Sequence, residues 1–298
     1  MIRFFYAMMS LTFVAACDAV GEADAPPEPA PPMAGITVPA PIANNLSAAS
    51  LADGSGSLTV SITLDAGVVE AVYARNAAYD LPGYLAFTTQ DDRLDRFFTG
   101  FAAQSADGSA RAAVVADGGQ FTKFFGGATY EQTGTYTAPT EGLVTYAGTY
   151  AGLINLSTRQ GTAPAPGVNA DILPFRSGRI SGDVFLNASF ATNKVNGAIY
   201  NRVYQDGTGI LLDTVFLIPT EIQPNGAFTG VAEDRNEDGI GSYGGTFGGV
   251  NASSVAGAIR LDGDFVPGTD IEDETGIFVL GRCGTAGVPS ICEPLNDL

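Results

Sequence analysis

Two short runs in this sequence have residue types and spacing that could do chemistry. Asp234, Asn236 and Asp238, with Gly239 behind them, match the first half of a calcium loop, where alternate oxygen ligands face inward and a glycine permits the sharp turn. The twelfth position of such a loop should be a bidentate glutamate; here it is Gly245. No flanking helices are evident, so an acidic hairpin tip accounts for the run better and no metal is expected. Gly239-Ile240-Gly241-Ser242-Tyr243-Gly244 fits the spacing of a dinucleotide-binding turn. That turn needs a helix N-terminus to hold the pyrophosphate. The residues that follow read as strand, which removes the chemistry from the match. No G-x-S-x-G nucleophile elbow occurs. Glu274-Thr275-Gly276 comes nearest to an aspartic-protease motif but carries the wrong acid. Sequence spacing singles out no pair of carboxylates for acid–base work. No catalytic residue and no cofactor are expected.

Composition narrows the chemistry further. The 298 residues include no His and no Trp. Histidine-based nucleophile systems, His-ligated zinc and His-ligated haem are therefore excluded. Lys plus Arg total 14 against 32 Asp plus Glu, a net charge of −18. A chain so acidic cannot replace the counterions of a phosphate backbone, which excludes a nucleic-acid partner. Charged residues make up only 15% of the chain, against about 25% in an ordinary soluble domain. The 38 Gly and 17 Pro point to a turn-rich, folded protein.

The elements that would position any site begin with an address. Met1–Ala16 reads as an export signal, with Arg3 as the positive end and an apolar run from Phe4. Val14-Ala15-Ala16-Cys17 resembles the lipobox of bacterial lipoproteins, with small residues before the cut and a thiol at the new N-terminus to carry acyl chains such as palmitate. Cleavage before Cys17 removes one arginine and no acid, leaving 13 basic residues against 32 acidic ones, net −19. Residues 17–45 read as a proline-rich tether, since seven of the 17 prolines fall between Pro26 and Pro41. An exported chain meets an oxidising compartment, so Cys283 and Cys292 are expected to form a disulfide. Free thiols or a metal pair would be the alternative, with no further ligands in view.

From Leu51 on, short runs rich in Val, Ile, Phe, Tyr and Thr alternate with Gly, Asn and Asp turns, as in an all-β sandwich or barrel. The second half divides into eight candidate strands: Tyr146–Leu156, Ile180–Phe190, Lys194–Tyr204, Leu211–Ile222, Ala227–Glu233, Ile240–Phe247, Ser254–Leu261 and Glu274–Gly281. Their short connections favour hairpins, and eight up-and-down strands can close without a free edge. Within Lys194–Tyr204, strict alternation puts Val195, Gly197, Ile199 and Val203 on one face and Asn196, Tyr200 and Arg202 on the other. The first half also reads as mainly β, over Leu58–Leu64, Val68–Arg75, Tyr84–Thr89, Ala110–Val115 and Ala128–Tyr136. The spacing of Leu94, Phe97, Phe98 and Phe101 predicts a short helix, while Gly100 and the aromatic content favour a strand. Thr137–Gly142 is the expected boundary between a small β-rich subdomain, 46–140, and a barrel, 141–298.

Three segments carry a family resemblance. Gly241–Ile259, in which an aromatic-Gly pair turns through Asn251-Ala252 into Val255-Ala256-Gly257, resembles the β-barrel of transferrin-binding protein B-like surface lipoproteins. Phe185–Ile199 is similar to an earlier hairpin of that barrel, and Tyr146–Gly152 to its opening strand. The resemblance implies a lipid anchor, a small β "handle" and an eight-stranded antiparallel up-and-down barrel. It further implies a non-catalytic protein of the bacterial envelope, at the outer membrane, that binds a protein or solute ligand and can work beside an outer-membrane receptor. It identifies no ligand-binding residue. A lipocalin-like carrier, with a small molecule inside the barrel, is the alternative reading. An acid-only hydrolase has less support.

Overall fold

Period-two alternation and glycine-marked turns build two antiparallel sheets. The computed structural model describes residues 35–52, 56–121, 123–140, 142–155, 172–206, 209–263, 272–284 and 292, and the chain from residue 34 onward forms one compact unit. Cys17 and the export signal lie outside the described residues.

The first sheet runs in chain order: β1 (Leu46–Leu51), β2 (Ser57–Leu64), β3 (Gly67–Arg75), β4 (Leu85–Thr89), β5 (Phe98–Gln104), β6 (Ala110–Asp117) and β7 (Gly126–Gln132). It curls until its ends nearly meet. The Asn45 backbone N–H donates to the Gly126 carbonyl at 3.1 Å, and the Gly126 N–H donates to Asn45 Oδ1 at 3.3 Å. The short helix α1 (Ala40–Ala43) precedes it, with Ile42 fully buried. Ile36 and Val38 also pack against the core, so the expected tether does not extend to residue 45. The prolines do not prevent this, because one of them stands in the first helical turn, where the missing donor has no intrahelical partner to lose.

Of the two readings left open for Leu94–Phe101, the strand holds from Phe98 on, and the residues before it form a loop leading into β5 in place of a helix. Asp92 accepts the Leu94 N–H at 3.0 Å, and the Gln90 amide donates to the Asp95 carbonyl at 2.9 Å. Phe98 and Phe101 then join cores on opposite sides of the sheet, a division that a strand allows and one helical stripe does not. Strand β1 has no counterpart in the sequence reading, since Leu46-Ser-Ala-Ala-Ser-Leu51 lacks β-branched residues. The strand expected to reach Tyr136 ends at Gln132.

The second sheet closes into a barrel of eight strands. These are β8 (Leu143–Ile154), β9 (Gly178–Ser189), β10 (Lys194–Tyr204), β12 (Val215–Glu221), β13 (Ala227–Glu233), β14 (Gly239–Gly248), β15 (Ser254–Gly263) and β16 (Glu272–Arg282), with β16 pairing back onto β8. The short β11 (Ile210–Leu212) lies on the same edge of β10 as β12. The eight strands correspond to the eight read from the sequence, within a few residues at each end.

The curled sheet packs on the outside of β8, β15 and β16. Ala151, Leu153, Ala256, Ala258 and Ile277 of the barrel share one buried cluster with Tyr84, Ala86, Phe101, Val114 and Tyr130. Small residues set this contact. A methyl on Gly244 would come within 2.6 Å of the Tyr130 hydroxyl, so glycine lets the two sheets approach. Both faces of these barrel strands are thus covered, which explains why β14 and β15 lose the wet face that alternation alone would give them.

Candidate functional site

The barrel interior is the first place to look for a ligand, and among the described residues buried side chains occupy it. At one end Phe247 meets Tyr146, Phe190 and Phe228 at centroid distances of 5.3, 5.1 and 5.3 Å. At the other end three polar side chains close on one another. The Tyr150 hydroxyl donates to Glu274 Oε1 at 2.6 Å, and Arg202 pairs with Glu274 Oε2. Arg202 also donates to the Asp213 carbonyl at 2.7 Å. Glu274 is fully buried and Arg202 is 2% exposed. Burial and the neighbouring Glu274 push the Tyr150 hydroxyl well above its ordinary pKa. Glycines make the room. A methyl on Gly152 would come within 2.8 Å of the Tyr150 hydroxyl, and one on Gly276 would collide with it.

Arg202 enters the interior through a β-bulge, which corrects the strict alternation read from the sequence. Tyr200 faces Asp183 and Val203 faces Ser181, so β10 spends one residue more than β9 over that step. Asn201 absorbs the extra residue with φ of 50°. Beyond the bulge the faces exchange: Arg202 turns inward and Val203 outward.

Outside the barrel, a solvent-open cavity of about 160 Å³ lies where the first sheet meets β9 and β10. Its walls are Tyr79, from a short 3₁₀ turn (Ala77–Tyr79), Phe97 and Thr99 around the start of β5, Arg176–Arg179 at the entry to β9, and Tyr204 and Asp206 at the end of β10. The chain is held into this corner by its backbone. The Phe175 N–H donates to the Gly119 carbonyl at 2.9 Å, and the Ser177 hydroxyl donates to the Ala116 carbonyl at 3.0 Å.

Two guanidinium–ring stacks organise the walls. The Arg176 guanidinium carbon sits 4.7 Å from the Phe97 ring centroid, and that of Arg179 sits 4.7 Å from the Tyr79 centroid. Arg176 Nη1 donates to the Tyr79 hydroxyl at 2.8 Å, and the two rings meet edge-on at 6.5 Å. Arg179 is neutralised by Asp206, donating from Nε at 3.0 Å and from Nη2 at 2.6 Å. Arg176 is exposed and has no carboxylate partner among the described residues. Among the described residues the cavity therefore carries one uncompensated positive charge on a strongly acidic protein. Burial, with Asp206 nearby, pushes the Tyr204 hydroxyl up to about 12, so it stays protonated at neutral pH. The arrangement suits an anionic, ring-sized group: a charged donor, two hydroxyls and aromatic walls.

None of these wall residues stood out in the sequence. The available signal was Arg176 and Arg179, two of only 14 basic residues, placed three apart before a strand. The calcium-like run resolves into a tight turn. Asp234 Oδ1 accepts the backbone N–H groups of Asn236 and Asp238 at 2.8 and 3.0 Å, and Asn236 Nδ2 donates to Asp234 Oδ2 at 2.9 Å. These hydrogen bonds hold the Asp234 carboxyl below the usual carboxylate range. Among the described residues no group of three or more Asp, Glu, His or Cys side chains is placed to hold a metal ion. Cys283 and Cys292 form the expected disulfide, with their Cα atoms 5.5 Å apart.

No family model matches the chain, and no curated protein matches it significantly. Solved structures of transferrin-binding protein B do match, at low similarity. The intact Ap-TbpB, with N and C lobes, has 12% identity and a TM-score of 0.37, covering 76% of this chain and 53% of that one. A TbpB variant from Haemophilus parasuis Hp5, described as a vaccine antigen, has 13% identity and a TM-score of 0.39, covering 76% and 51%. Isotype 1 TbpB from serogroup B Neisseria meningitidis has 15% identity and a TM-score of 0.35, covering 78% and 51%. The chain spans about half the length of each.

Proposed function

We propose that the protein is a lipid-anchored binding protein of the bacterial cell envelope, which holds its ligand without catalysis by an anionic group seated in the Tyr79–Arg176 groove. The observation that carries this reading is Arg176, exposed beside an open cavity and fixed by the Tyr79 hydroxyl and the Phe97 ring. The packed barrel interior supports a site on the outside and weighs against the lipocalin-like alternative. An acid-only hydrolase would need two carboxylates in one cleft. Among the described residues the groove walls supply only Asp206, engaged by Arg179. The sequence resemblance adds the outer membrane and a receptor partner to the proposal. The ligand is defined by its chemistry, a carboxylate on or near a small ring, and can be a side chain of a protein or a free solute.

Benzoate is the probe that tests the groove. Titrated against the protein, it is expected to give a saturable shift of the Arg176 Nε–H resonance. Benzylamine, the cationic counterpart, should give none. An unsaturated linear drift, or calorimetric binding of benzoate to Arg176→Gln as tight as to the parent, would remove the groove from the proposal. The anchor has its own test. Cys17→Ser is expected to abolish acyl labelling and release the protein from membranes; unchanged labelling and retention would refute it.

A further inference from the structure

Strand β3 has two unequal neighbours. It pairs with β2 along its whole length, from Ser57↔Ala74 to Leu64↔Gly67. With β4 it pairs only at Ala74 and Arg75, because β4 ends at Thr89 and the chain leaves through the loop 90–97. Among the described residues, 67–73 therefore present a free strand edge. Among the described residues no loop backbone hydrogen-bonds to this stretch.

Apart from the charge of Glu70, the edge carries little of the usual protection. It has no proline and no bulge against β2, and three of its exposed side chains are valines: Val68 is 67% exposed, Val72 63% and Val69 39%. Ala71 and Tyr73 continue into the core on the inner face. Val68, Glu70 and Val72 share the outer face by period two. Glu70 is the one charge between Gly67 and Ala74, and it is exposed. The loop that vacates the neighbouring position carries Asp91, Asp92 and Asp95, all exposed, against one exposed basic residue, Arg93. Its other arginine, Arg96, is paired with Asp117.

We propose that β3 is an acceptor edge for strand addition, taking an extended basic–apolar segment of another protein that places apolar side chains beside Val68 and Val72 and a lysine or arginine opposite Glu70. Main-chain hydrogen bonds would supply the attraction and the Glu70 pair the selection. The same acidity argues against a second copy of this chain, which would bring Glu70 and the 90–97 carboxylates against their own kind.

The test uses the full-length protein and the labelled peptide Thr-Val-Thr-Lys-Thr-Val-Thr, with a partner peptide in which Glu replaces Lys. Fluorescence anisotropy should show the Lys peptide binding about tenfold more tightly or better, and Glu70→Lys should invert that preference. Amide hydrogen exchange should slow over residues 67–73 when the Lys peptide binds. Glu70 is exposed, so the variant is expected to keep the parent melting temperature. A Val68→Lys/Val72→Lys variant should lose both peptides, giving a second measurement independent of Glu70. Equal binding of the two peptides, absence of binding, or protection confined to other strands would overturn the proposal. So would concentration-dependent dimerisation that Val68→Lys/Val72→Lys abolishes, because it assigns the edge to a second copy. Benzoate binding at Arg176 is read separately, so failure of one site leaves the other standing.

Discussion

Arg202→Met is expected to destabilise the fold by about 3–5 kcal/mol, the range for removing one partner of a buried ion pair. Methionine keeps the length of the aliphatic stem but withdraws the guanidinium from Glu274. That carboxyl is fully buried, and among the described residues its remaining hydrogen bond is the one from Tyr150. The alternative of burying no charge at all should be far less harmful. In Arg202→Met/Glu274→Leu/Tyr150→Phe, neither a carboxylate nor an orphaned hydroxyl remains inside the barrel, and most of the lost stability should return. Urea unfolding midpoints of the parent, the single variant and the triple variant decide the matter. A loss below about 1 kcal/mol for Arg202→Met, the scale of an exposed pair, would mean that water reaches the cluster and that this end of the barrel is open. Such a result would revive the interior as a ligand site.

The same cluster shows where a sequence stops being legible. The barrel strands could be read because each alternates over many residues and the turns are short. Strict alternation assigns Arg202 to the wrong face, because one extra residue at Asn201 reverses everything beyond it, and nothing local announces a bulge at an asparagine. The phenylalanines of 94–101 left helix and strand undecided for a related reason. Their spacing fits a helix stripe, yet Phe98 and Phe101 serve two cores on opposite sides of a strand. Strand β1 was illegible because Ala and Ser gain their strand geometry from Asn45 and from β2, and their own propensities do not supply it. The disulfide was readable from two cysteines and a compartment. The groove was not readable at all, since its walls come from four separate stretches of chain that only the packed fold brings together.

Phe247→Ala is the second change with a large expected effect, a loss of about 3–5 kcal/mol as for other fully buried aromatic truncations. Phe247 is 0% exposed and contacts three other rings at the base of the barrel, so its removal opens a cavity that rigid strands cannot fill. Its backbone also belongs to the junction between the sheets. Gln132 at the end of β7 donates to the Phe247 carbonyl at 2.6 Å, and Tyr136, a few residues on, packs into the barrel core. With the shared cluster around Tyr130 and Ala256, this makes the two sheets one thermodynamic body. Calorimetry of Phe247→Ala should therefore show a single cooperative transition, lower in temperature than the parent's, rather than an early barrel transition and an unchanged one for the first sheet. Two separated transitions would show that the sheets fold independently. The Tyr79–Arg176 groove, with one wall on each sheet, would then depend on a docking equilibrium, and benzoate would raise only the transition that docks them. If the single transition holds, benzoate should raise it as a whole, since a ligand that bridges both sheets stabilises the entire native state.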